Sequence, residues 1–401
     1  MQTLLSIFPA LNSYEYRLYF GAQLVSLIGT WLQMVAEGWL VWELTKSAFW
    51  VGTITAIGFL PVLLFSLFGG VIVDRFHKRD LLIFTSSLAM VLAFTLGILT
   101  ISNLITVWMI AILAFILGIV NALDLPTRQS FTIEMVGKEA LPSAISLNMG
   151  MFNSSRVIGP AIAGLLIARI GVGGAFFVNG LSFIAPLIAL SLIKIKSDLP
   201  KVHPHPIAAI KEGLSYTFSH PLIKSLIIFS AFFSIFGFSY TTIMPFLAES
   251  VFNQGPQGLG IMYAFSGLGA LIGTFLVHPL SKKFDELNLI FFGTLIFVIA
   301  LIVFAITSNF TVALIALMFQ GVAVSFPFAL TMSGIQHHVD NHVRGRVSSI
   351  FMIAFLGMQP IGSFQVGFLT EHFGHTFALI FGAIIVLIAS IYLKTHLKYK
   401  S

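Results

Sequence analysis

The 401-residue sequence predicts an all-α membrane protein of twelve transmembrane helices, built as two parallel six-helix repeats. Hydrophobic residues make up 57% of the chain against 9% charged, and mean hydropathy is +0.99, beyond anything a soluble core requires. Apolar stretches of about 20 residues recur between short polar breaks, each long enough to cross about 30 Å of hydrocarbon. A β-barrel would instead alternate in strands of about 10 residues. Finally, a shift of 203 residues lays the second half of the chain on the first.

The first span, 16–44, carries Gln23, Ser26, Thr30, Gln33 and Glu37 at spacings of three and four, one polar stripe on an otherwise apolar helix. An ionisable group at membrane depth costs about 2.5 to 3.5 kcal/mol on insertion scales, which marks Glu37 as a functional residue. The N-terminus shows no charged segment ahead of a short apolar core, so this span is expected to stay in the mature chain. Trp39, Trp42 and Trp50, at the facing ends of the first two spans, read as interfacial anchors. The second span, 48–73, runs into a basic loop, and spans at 81–101 and 104–123 follow. The fifth, 143–168, holds Asn153 and Arg156 deep in an apolar helix. There a guanidinium must meet an acid, carbonyls, water or an anion. Asp124 and Glu37 are the acids of fitting type in that half. The sixth span, 174–193, leads to a linker at 194–221, where Pro200, His203, Pro204, His205 and Pro206 read as a loop. His203 and His205 lack carboxylate company, and no metal site is expected.

The seventh span, 222–249, repeats the first as Ser230, Ser234, Gly237 and Thr241, without an acid. The remaining spans are 257–279, 287–307, 310–330, 347–370 and 375–393. The domains are therefore 1–193, the linker 194–221, and 222–401. At the 203-residue shift, six of the 17 glycines in residues 1–198 meet a glycine, where about 1.5 would by chance. An even number of spans per unit makes the copies parallel, related by an axis along the membrane normal.

Charge orients the chain. Eighteen of its 21 Lys and Arg fall on one side of the expected spans, two on the other, and Arg156 inside. Basic loops stay in the cytoplasm, so both termini are expected there. This asymmetry accounts for the net charge of +6 without nucleic acid. The absence of cysteine removes disulfides and thiolate chemistry. No glycine-rich phosphate loop appears, so nucleotide is not expected to drive anything, and no cofactor is implied. An enzyme would need a cluster of acids, histidines or metal ligands at one depth, which the sequence lacks.

Gly70, Asp74, Arg75, Lys78 and Arg79, with the two six-helix halves, resemble the major facilitator superfamily and its signature cytoplasmic loop. The segment from Gly29 to Thr45 is similar to the first helix of the branch that holds enterobactin-type siderophore exporters and proton-driven drug antiporters. Asp124-Leu-Pro126-Thr-Arg128, then Asn153-Ser-Ser-Arg156-Val-Ile-Gly159-Pro160 and Gly164, is similar to the fourth loop and fifth helix of that branch. One departure is the loop after span 8, His278 to Lys283, which keeps positive charges and has no acid.

The resemblance implies a secondary active transporter in a bacterial cytoplasmic membrane, acting as a monomer on a small molecule and moving protons. Export of a small amphiphilic compound, drug or siderophore-like, is the leading expectation. Import of a solute, or lysophospholipid transport, is the alternative in this fold. Glu37 would couple protons. Gln23, Ser26, Thr30, Gln33, Asn153, Arg156, Ser234 and Thr241 would line a central cavity. Asp74 and Arg75 would latch the halves at a helix N-terminus, with Lys78 and Arg79 pairing acids across the interface. Asp124 and Arg128 would sit in a loop, and Gly159, Pro160 and Gly164 would form a hinge.

Overall fold

A computed structural model describes residues 8–73, 75–195, 206–340 and 342–398, with side chains left out of that description at 66–73, 206–210 and 396–398. Asp74, and Pro200, His203, Pro204 and His205 of the linker, lie outside the described residues. The chain is helical, and the described residues contain no strand. In order, the helices are α1 (Tyr14–Thr45), α2 (Ala48–Val73), α3 (Lys78–Ile101), α4 (Val107–Leu192), α5 (Pro206–Ser219), α6 (Pro221–Val251), α7 (Gly255–Ser281), α8 (Glu286–Ile306), α9 (Phe310–His338), α10 (Arg344–Phe373) and α11 (His375–Lys398). All but α5 are long and apolar enough to cross a membrane, ten in total among the described residues.

Helix ends follow their capping residues. Ser13 opens α1 by accepting from Tyr16 N at 3.1 Å. Thr106, Asp285 and Asn309 accept likewise at the starts of α4, α8 and α9. Lys46, in the left-handed region, closes α1. The 86 residues of α4 cover what the sequence divides into three spans, and Gly137 and Gly171 break it with φ of 72° and 73°. Gly374, 203 residues after Gly171, separates α10 from α11 at φ 85°. Both glycines also have ψ near the extended region, 173° and 155°, which only a residue without a Cβ adopts cheaply at that φ.

Contacts fix the path of α4. Tyr16 hydroxyl donates to Asn148 Oδ1 at 2.9 Å, and further along α1 Gly159 abuts Ile28 and Trp31. The 138–170 segment therefore runs beside α1 in the same direction. Gln33 meets Asn179 while Tyr16 shares a core with Leu190, so 172–192 runs the opposite way. Phe131, Ala144 and Leu190 meet Tyr16 and Tyr19 in a small core at the end of the molecule where the chain begins.

The linker region differs from the expected loop. Residues 206–219 form helix α5, and Glu212 pairs with Arg346 at the start of α10. Proline at position 206 suits a first helical turn, because its missing N–H has no partner there anyway.

Candidate functional site

Residues 8–195 and 206–398 meet along two seams: α2 on α10, and the 138–170 segment of α4 on α7. Small residues make both seams close. A Cβ on Gly52 would collide with Ser363 O, and one on Gly260 would lie 2.5 Å from Pro160 O. Gly164 faces Pro256 and Gln257, and Gly267 faces Arg156 O. Gly150, on the same segment but about 21 Å nearer the terminal end at 1.5 Å per residue, has nothing within 4 Å of its Cβ position. The seam is thus tight toward the end far from the termini and looser toward the end that holds them.

At that far end, two carboxylates join the chain halves. Glu249 accepts from Trp42 Nε1 at 2.9 Å and Lys46 Nζ at 3.0 Å. Glu371 accepts from Ser47 Oγ at 3.2 Å and Phe49 N at 3.3 Å, capping the positive end of α2 from the other half. Sequence reasoning missed both, because each acid sits at a helix end where acids are ordinary and its partner is about 200 to 320 residues away. Trp39 and Trp42, read as lipid-facing anchors, are buried at 7% and 4% exposure.

The stripe on α1 divides. Gln23, Ser26 and Gln33 are shut inside protein, and Gln33 Oε1 accepts from Asn179 Nδ2. Gln23 Nε2, Ser26 Oγ and Gln33 Nε2 have no hydrogen-bond partner among the described residues. Thr30 is exposed and donates to Ser26 O at 3.0 Å. Glu37 is half-buried, carries no hydrogen bond or ion pair among the described residues, and adjoins Gly38, which abuts Pro245 of α6.

Arg156 has different company from that expected. No acid pairs with it among the described residues. Its Cζ lies 6.0 Å from the Trp31 ring centroid and 5.7 Å from that of Phe238. Tyr240 and Tyr263 stand within electrostatic reach, the first bonded to Ser266 Oγ at 3.2 Å and the second donating to Thr241 O at 2.7 Å. Asp124, offered as a partner, is committed elsewhere: it pairs with Arg128 and accepts from Thr85 at 2.9 Å. Both residues lie within α4, not in a loop, since the helix continues through Pro126 to Val136 before breaking at Gly137.

Other expected site residues turn to their own surroundings. Asn153 donates to Met149 O at 3.0 Å, and Thr241 to Phe238 O at 3.1 Å. Ser234 is fully buried in a π-helical turn, and its neighbour Gly237 meets Val386 and Phe297, so that face of α6 packs into its own half. Gly159 packs on Trp31, and Pro160 sits in unbroken helix. In the loop region, Gly70 lies in α2, Asp74 lies outside the described residues, and Arg75 is exposed. Lys78 is 2% exposed, its Nζ 3.5 Å from Phe76 O. Arg79 makes no acid pair across a seam among the described residues. It donates to Leu190 O at 2.6 Å and Ser191 O at 3.0 Å, capping the last turn of α4.

Known proteins resemble this chain along its whole length. A family profile described as transmembrane secretion effector matches residues 5–400. The staphyloferrin A transporter of Staphylococcus aureus (strain NCTC 8325 / PS 47) is 28% identical, covering 89% of each chain. Macrolide efflux protein A of Streptococcus pyogenes is 22% identical over 94% of this chain and 95% of its own. An enterobactin exporter of Escherichia coli O1:K1 / APEC is 21% identical over 88% and 84%. Among solved structures, an inward-facing, unoccupied bacterial homolog of the human lysosomal transporter Spinster superposes with TM-score 0.77 at 14% identity, covering 95% of this chain and 96% of that one. A D-xylose–proton symporter superposes with TM-score 0.73 at 17% identity over 95% and 97%.

Proposed function

The chain belongs to the transmembrane secretion effector family of the major facilitator superfamily, whose members are membrane transporters and not enzymes, and on that premise we propose that it is a proton-coupled exporter of a small amphiphilic compound. It works by alternating access between two bundles of six membrane spans, with both termini in the cytoplasm and Arg156 and Glu37 near the middle of the path. The breaks at Gly137 and Gly171, which divide α4 into three crossings, support twelve spans. Gly171 and Gly374, 203 residues apart with the same turn geometry, support the repeat.

Glu37 is the observation that carries the coupling. A carboxyl at membrane depth, beside the seam and without an ion pair among the described residues, is free to take a proton from one side and release it to the other. Export is favoured over uptake by relatives whose names describe efflux and export. With this orientation the far end is the outer end, so the arrangement is closed outside and looser on the cytoplasmic side, as an exporter awaiting its cargo would be.

The test compares metabolites and dyes retained by cells with and without the gene, with an uncoupler as control. Wild type should lower the retention of a compound in an uncoupler-sensitive way, and Glu37→Gln, present at equal level in the membrane, should retain it as the deleted cells do. A mutant that still pumps against the gradient removes Glu37 as the coupling group. Extrusion indifferent to the uncoupler sinks proton coupling altogether.

A further inference from the structure

The surroundings of Arg156 identify what the path selects. The guanidinium offers five N–H donors, it is half-buried, and none of them is used by a protein acceptor among the described residues. Two aromatic faces flank it, Trp31 from α1 and Phe238 from α6, so the site draws on both halves of the chain. Cation–π contact of this kind eases the charge but satisfies no donor. The tyrosine hydroxyls nearby add no negative charge, and Tyr263 has already spent its proton on Thr241 O. The other ionised groups of the region do not neutralise it: Asp124 belongs to Arg128, and Glu37 makes no ion pair with Arg156. The middle of the seam is therefore a cation walled by rings with an unfilled set of donors.

We propose that Arg156, Trp31 and Phe238 form the head-group subsite of the transported compound, and that this compound is an organic anion, its carboxylate on the guanidinium and its apolar body against the two rings. The inference rests on the transport reading above and gives it a substrate class. Arginine holds a carboxylate through two parallel hydrogen bonds, whereas an ammonium-bearing compound would meet like charge in a place where water screens poorly. Because Trp31 and Phe238 lie on different halves, a bound anion would also tie the halves together at the point where they must move apart.

The experiment uses the purified full chain in lipid nanodiscs and two probes with one ring system, 2-naphthoate and 2-naphthylmethylamine, which carry opposite charges at pH 7. Naphthoate should bind at least about tenfold more tightly than the amine, the size expected for one charge-assisted hydrogen-bonded pair. Arg156→Gln should remove that preference, and Arg156→Lys should keep part of it. Equal or tighter binding of the amine, no binding of naphthoate, or an unchanged preference in Arg156→Gln overturns the proposal. If Arg156→Gln does not fold, judged by its unfolding midpoint, the preference of wild type and its reduction in Arg156→Lys decide the matter. Proteoliposomes with an imposed pH gradient separate the two readings. Naphthoate that binds but never moves upholds the subsite and defeats the transport reading, while pH-driven movement of the amine alone upholds transport and defeats the subsite.

Discussion

Asp124 and Arg128 are one helical turn apart on α4, with Asp124 8% exposed and also accepting from Thr85. Removing one partner of such a pair leaves a charge with nothing to answer it, at a cost of about 3 to 5 kcal/mol. Arg128→Met should therefore reduce the folded yield and unfolding temperature sharply, and Asp124→Asn combined with Arg128→Gln should restore most of the loss. Equal stability of the single and double variants would show the pair to be idle. Asn179→Leu should have a milder effect, about 1 kcal/mol in thermal unfolding, because it strips Gln33 of its one partner in a membrane setting where such bonds average less than in water. At this scale the sequence announced which residues were unusual but not whom they meet. The spacing of the stripe put Glu37 and Gln33 on one face of α1, yet for Arg156 the sequence left acid, carbonyl, water and anion all open, and the structure sets aromatic rings beside it. Phe238 could not be singled out among 41 phenylalanines, because a ring beside a cation carries no sequence signal.

Elements were more legible than partners. The apolar runs gave most helices within a few residues of where they stand, since a bilayer-length stretch has one way to satisfy its backbone, but α9 runs on to His338 and the first part of α4 to Val136, past the expected ends at 330 and 123. Helix α5 escaped because prolines and histidines suggested a loop, while Glu212 of α5 meets its partner Arg346 only once α10 is in place. The departures within α6 and α10 were invisible for a different reason. Phe233–Gly237, Leu247–Val251 and Ile353–Gly357 are π-helical, and Phe238–Ile243 is 3-10; such shifts of hydrogen bonding follow tertiary packing more than composition. α1 and the 138–170 segment, their counterparts at the 203-residue shift, are α-helical throughout. Amide hydrogen exchange should accordingly be faster over 233–248 and 353–357 than over 30–45 and 150–154. Equal protection would mean that the π turns are as firm as the α-helix they interrupt.

For the whole molecule, the seams are expected to set which way the proposed path opens. Gly260→Leu would force a side chain into Pro160 and Gly164, and Gly52→Leu would do the same at Ser363. Both should push the population toward the state open at the far end, seen as longer distances between spin labels on Thr45 and His372. Cysteines can be introduced for this without background, because the chain has none. Unchanged distances would show that the seam does not set the equilibrium. In the sequence loop after α2, Asp74→Asn should leave insertion intact and lower export; full export would remove the latch expected of that loop. The matching left-handed turns at Gly171 and Gly374 were readable from the glycine register, since such turns admit little else. What covers the far end was not, because Glu249 and Glu371 act only when the distant half is in place.

Glu249 and Lys46 form an ion pair whose side chains are 39% and 54% exposed. Exposed pairs weaken as salt rises, over a screening length of about 8 Å at 0.15 M and 3 Å at 1 M. One fastening of the far end is thus sensitive to the salinity of whatever bathes that end, while the other, a carboxylate on the backbone amide of Phe49, depends less on mobile ions. On the proposed orientation, a cell moved from fresh to briny surroundings would loosen this fastening without any signal crossing the membrane.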